Sequence, residues 1–152
     1  MLCACLFLVG CSDLIEDVNM FHNVDPKIQV YYDRFTLQTG IPISNITAGF
    51  TPLSIYAGEC VYNSVSHEIR IDPTYWSSID SDDILKYQIV AHELGHCRLG
   101  LAHIPAVSYT IPDFQPLSIM NPYVFNVTQG AYLEDHILEY INALVSNKPI
   151  PQ

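Results

Sequence analysis

The stretch from Asp80 to Gly100 constrains this chain more than any other. Asp80-Ser81-Asp82-Asp83 supplies side-chain caps and acidic groups suited to the positive end of a helix. Ile84, Leu85, Ile89, Val90 and Leu94 follow at helical spacing. Gly100 stands where a left-handed C-terminal cap is wanted, so the pattern predicts a helix from this acidic turn to about Leu99. Near its end lies His92-Glu93-Leu94-Gly95-His96. Helical residues four apart lie one turn above each other, so both imidazoles can hold one metal ion from one face. Glu93, beside the first, can reach a water on that ion. Imidazole nitrogen suits zinc, and a catalytic zinc keeps three protein ligands and one open position. Gly95, costly inside a helix, points to close packing there.

The rest of the chain supplies a frame. At 152 residues, 49% hydrophobic and 14% charged, it is long enough for one domain with a real core. A helix is expected from Asp25 to Gln38, with Pro26 in its first turn and Ile28, Tyr31, Tyr32 and Phe35 on one face. Short strands are expected at Ile46–Phe50, Ser54–Tyr56, Cys60–Tyr62 and His67–Asp72, broken by Pro52, Gly58 and Pro73. In the last of these Ile69 and Ile71 share one face, and Glu68, Arg70 and Asp72 the other. Residues 101–127 read as a long ordered loop, and Tyr132–Ser146 as a final amphipathic helix. The expected class is α+β: a small mixed sheet packed on the His-bearing helix, with an N-terminal and a C-terminal helix around it.

His92-Glu93-Leu94-Gly95-His96-Cys97-Arg98-Leu99-Gly100-Leu101-Ala102-His103 resembles the metzincin clan of zinc peptidases, in which HExxH is followed by xxGxxH. One extra residue here sets Gly100 and His103 one position later. Ser118-Ile119-Met120-Asn121-Pro122 is similar to the clan's Met-turn, and the whole pattern is similar to that of small bacterial lipoprotein peptidases with HELGHC and SIMNP segments. The resemblance implies a zincin-like fold and a zinc-dependent peptidase acting on peptide or protein substrates. It implies that His92, His96 and His103 hold one Zn2+, that Glu93 is the general base, and that Met120 packs beneath the site. Tyr123 becomes a candidate for contact with the oxyanion. His103 is favoured as third ligand because Gly100 can turn the chain back to the helix end. A carboxylate on the last helix, Glu134 or Glu139 with Asp135 and His136 behind them, is the alternative. His22 and His67 lack metal-like spacing and are expected on the surface. The Glu68–Asp72 strand is similar in position to the clan's cleft-lining edge strand, which pairs with extended substrate.

The N-terminus carries a different message. Residues 1–10 are an apolar run too short to span a bilayer, and Leu8-Val9-Gly10-Cys11 resembles a lipoprotein lipobox. The expected organisation is a signal peptide at 1–10, a tether at 11–24 beginning with a lipidated Cys11, and a zinc-peptidase domain at 25–148. This implies an exported bacterial lipoprotein anchored at a membrane. Cys60 and Cys97 are then the two thiols of the body, and in an exported chain such a pair is expected as a disulfide. Cys97 is no ligand beside His96, because neighbouring helical residues point about 100° apart. Six Lys plus Arg against sixteen Asp plus Glu give a net charge of −10, which repels phosphate backbones, so no nucleic-acid partner is expected. The alternatives to a peptidase are a non-catalytic zinc-binding lipoprotein and a zinc amidase acting on cell-wall peptides.

Overall fold

In a computed structural model the described residues are 21–62, 66–105, 107 and 115–150. The expected signal peptide and the lipidation site at Cys11 lie outside them. The fold is α+β. Helix α1 (Pro26–Thr39) is capped by the Asp25 carboxylate, which accepts from Lys27 N at 2.8 Å, and it ends on left-handed Gly40. Strands β1 (Ile46–Phe50), β2 (Gly58–Tyr62) and β3 (His67–Ile71) follow. After them come α2 (Pro73–Ser78), α3 (Asp83–Leu99), α4 (Val127–Asp135) and α5 (Ile137–Ser146). No helix among the described residues is long and apolar enough to cross a membrane.

The three strands run in the order β1-β3-β2, with β1 parallel and β2 antiparallel to β3. This corrects the expected placing of the edge. The strand containing Glu68 is central, and β2 is the edge strand that runs beside α3. The alternation read on β3 holds, but its polar face is not solvated. Glu68 is 1% exposed, accepting from Phe21 N at 2.9 Å and from Arg70 Nε at 2.6 Å. The Phe21 ring lies where a side chain on Gly49 would stand, and Val24 bridges to Ala48, so residues 21–24 are held against the sheet.

Three local readings change. Ser54–Tyr56 is not a strand. Pro73 does more than end β3, because it opens α2 with Asp72 as cap, the carboxylate accepting from Tyr75 N and Leu53 N. Those backbone bonds hold the Asp72 carboxyl below its usual range. The final helix begins earlier than expected, at an Asn126–Gln129 capping box, and divides at His136, whose ring stacks on Tyr132. The core gathers Leu94, Ile119, Met120, Leu133, Tyr140 and Leu144 beneath α3.

Candidate metal centre and cleft

Helix α3 presents His92 and His96 toward one cavity of about 370 Å³, which His103, Glu93 and Tyr123 also line. Gly100, at φ 65°, ends the helix; its N–H and that of Leu101 bond back to the His96 and Gly95 carbonyls. The reversal carries His103 back over the helix end, and the extra residue in the motif is absorbed by continuing α3 to Leu99. The three Nε2 atoms lie 3.1, 3.1 and 3.2 Å apart. Among the described residues these three histidines form the group able to hold a metal ion, with ligand atoms within 4.8 Å of one another. Glu134, Asp135 and Glu139 are exposed on α4 and α5, and no carboxylate belongs to that group.

The imidazole tautomers follow from their other nitrogens. His92 Nδ1 is 2.8 Å from Ile119 O, and His96 Nδ1 is 2.7 Å from Leu101 O. A carbonyl only accepts, so each Nδ1 carries the proton and donates it, leaving Nε2 as a bare lone pair. Two such lone pairs facing each other at 3.1 Å share no hydrogen. They need a cation. Nitrogens each about 2.0–2.1 Å from a tetrahedral ion are separated by roughly 3.3 Å, so the triangle fits. Burial, more than the neighbouring imidazoles, pushes His92 down to about 4, and burial likewise lowers His96. Both imidazoles are neutral at neutral pH.

The segment Ser118–Tyr123 braces this arrangement. Ser118 Oγ accepts from Met120 N at 3.0 Å, and Asn121 Oδ1 from Tyr123 N at 3.1 Å. Ser and Asn thereby build the bend with their own side chains. Met120 is fully buried, and its Sδ lies 2.3 Å from where a Cβ on Gly95 would stand. Met120 O accepts from Ile104 N at 2.7 Å, tying the turn to the residue after His103. Tyr123 is 76% exposed at the cavity rim.

Glu93 sits beside the triangle, 5% exposed. Burial first, and then the charge of Glu59, push its carboxyl up to about 8. Cys60 and Cys97 form a disulfide with Cα atoms 5.6 Å apart, as their isolation in the body suggested. Tyr62 Oη donates to His96 O at 2.6 Å. His22 is exposed, whereas His67 is half-buried, with Nδ1 donating to Cys97 O at 2.7 Å. Sequence reasoning passed over Gly58, Tyr62 and the Ile119 and Leu101 carbonyls. A carbonyl has no residue signature, and Gly58 was read as a strand breaker although it opens β2.

No family model and no curated protein matches this chain. Among solved structures it is similar to the metallopeptidase zymogen of Pyrococcus abyssi abylysin, with 14% identity and a TM-score of 0.42. That match covers 82% of this chain and 99% of the other.

Proposed function

We propose that this protein is a zinc-dependent peptidase. The observation that carries the reading is the triangle of the His92, His96 and His103 Nε2 atoms, 3.1–3.2 Å on a side, with the buried Glu93 carboxyl in the same cavity. Imidazole nitrogens suit zinc. Among the described residues no carboxylate joins the group, which favours the three-ligand form of a catalytic centre over the closed four-ligand form of a structural one. A zinc ion held there supplies Lewis-acid polarisation of the scissile carbonyl and of water. His92 and His96 keep fixed ring orientations through their Nδ1 donors. The charge of an ion held at the triangle would favour the ionised form of Glu93 against the burial that favours the neutral acid. That carboxylate would accept a proton from the attacking water and return it to the leaving amine nitrogen. Tyr123 donates its phenol to the carbonyl oxygen as charge develops. Peptides are the substrate class because β2, an edge strand lining the cavity, offers backbone groups to an extended chain. In this reading the domain is exported and held at a membrane by a lipid on Cys11; Cys11→Ala then leaves the membrane fraction.

Zinc content and cleavage of an unbiased peptide library, measured on a set of variants, test the peptidase. Glu93→Gln keeps zinc and loses cleavage by roughly 10²–10⁴-fold. His96→Ala and His103→Ala lose both, and Glu134→Ala loses neither. Unchanged cleavage by Glu93→Gln overturns the mechanism, and full zinc occupancy in His103→Ala moves the third ligand elsewhere.

A further inference from the structure

Strand β2 meets α3 at three successive points. Gly58, Cys60 and Tyr62 alternate onto one face of the strand, and all three address the helix. Gly58 lies against Glu93, Cys60 is bonded to Cys97, and Tyr62 donates to the His96 carbonyl. Over the first step the lengths match: Gly58 to Cys60 advances about 6.6–6.8 Å and Glu93 to Cys97 about 6.0 Å, while the long Tyr62 side chain reaches back to the carbonyl of His96. The strand therefore works as a template laid along the helix that carries Glu93.

At Gly58 the template has no room to spare. A Cβ there would stand 2.9 Å from Glu93 Oε1, 3.0 Å from Cγ and 3.2 Å from Cδ. Rotating the carboxylate relieves only the first contact, because Cγ and Cδ move little with it. Retreat of the whole strand is opposed by the disulfide one repeat along and by the Tyr62 bond beyond it. We propose that Gly58 is a positioning residue for Glu93: its bare backbone and the β2–α3 template together fix where the carboxylate stands. The inference rests on the peptidase reading for its catalytic meaning, but the contact itself does not.

The test separates the two. Restoring ordinary contact distances of roughly 3.5 Å or more moves the carboxylate by a good fraction of an ångström, and a displacement of about 1 Å can cost on the order of 100-fold. In the full chain loaded with zinc, Gly58→Ala should lower kcat about 10- to 100-fold, with KM and zinc content within about twofold. Combined with Glu93→Asp, whose side chain is one methylene shorter, Gly58→Ala should cost less than about threefold further.

Thermal melts of the metal-free protein read the contact without any activity. Gly58→Ala should lower Tm when Glu93 is present and have little effect in a Glu93→Ala background. If Gly58→Ala does not fold, recovery of folding in the double variant is the same result. Equal Tm losses in both backgrounds overturn the contact, and coupled melts with unchanged kcat overturn the positioning role. A wild-type protein that cleaves no peptide removes the peptidase reading, and the melts still decide whether Gly58 holds Glu93.

Discussion

Gly95 shows how one missing side chain sets the packing beneath the histidine cluster. Exchanging it for Ala brings two opposed effects. Ala favours the helix by about 1 kcal/mol over Gly, whereas forcing a methyl into a filled core costs typically 1–3 kcal/mol. The would-be Cβ stands 2.3 Å from Met120 Sδ and 3.4 Å from Leu144 Cδ1, and Met120 is fully buried, so the steric cost wins. Gly95→Ala is expected to destabilise by about 1 kcal/mol, the difference between those two terms. In a Met120→Ala background the same change should be neutral or stabilising, because the obstructing thioether is gone. Paired thermal melts of the four variants measure this, and equal losses in both backgrounds would refute the contact. The sequence announced both partners. Gly95 was out of place in a helix and Met120 sat in a recognisable turn, though only the fold puts one against the other.

Among the elements, the chain was most legible where the signal is local. The α1 and α3 caps, the β1 run and the Gly100 stop all depend on side chains within a few residues of one another. Strand order is a different matter, because it is decided by pairings between distant segments. Alternation on Glu68–Asp72 was compatible with an edge, yet β1 and β2 pair on either side of β3 and make it central, while Phe21 N and Arg70 cover the Glu68 carboxylate. The break at His136 was likewise hidden inside an unbroken apolar stripe. The Cys60–Cys97 link fastens the true edge strand to α3 across a sequence separation of 37 residues. Constraint of an unfolded loop of that length is worth up to about 4 kcal/mol. A Cys60→Ala, Cys97→Ala variant should lose roughly 2–4 kcal/mol by denaturant titration. Thiol counting of the denatured, unreduced wild type should find neither of these two cysteines free, and finding both would exclude the bond.

For the whole molecule, stability without metal should be a dome in pH, shaped by two buried groups of opposite kind. His92 is held at about 4 against an ordinary 6.5, so between these values the unfolded chain binds the extra proton. That contribution is complete above about pH 6.5 and is lost as pH falls toward 4. Glu93 is raised to about 8 from an ordinary 4.5, so the folded chain holds the extra proton. Its contribution is complete below about pH 4.5 and is lost as pH rises toward 8. Between 4.5 and 6.5 the two slopes oppose, and above 6.5 only the alkaline decline from Glu93 remains. Melts of the metal-free protein should therefore weaken from pH 6.5 to 8, and Glu93→Gln should flatten that arm. A wild-type alkaline arm that survives in Glu93→Gln would assign it to another group.

The three clustered imidazoles all come from His92 to His103, about a dozen consecutive residues. An ion bound there bridges the last turns of one helix to the bend that follows, and closes only a short ring of chain. A ring that short joins segments already close along the chain, so it does little to hold distant segments together. The sheet, the covalent link from β2 and the core beneath α3 stand independently of it. On the proposed function, such an ion should therefore leave and return, or be exchanged for another of similar size, while the molecule stays folded. Chelation should silence the centre without unravelling its scaffold, so metal supply can set activity in a population of already folded molecules.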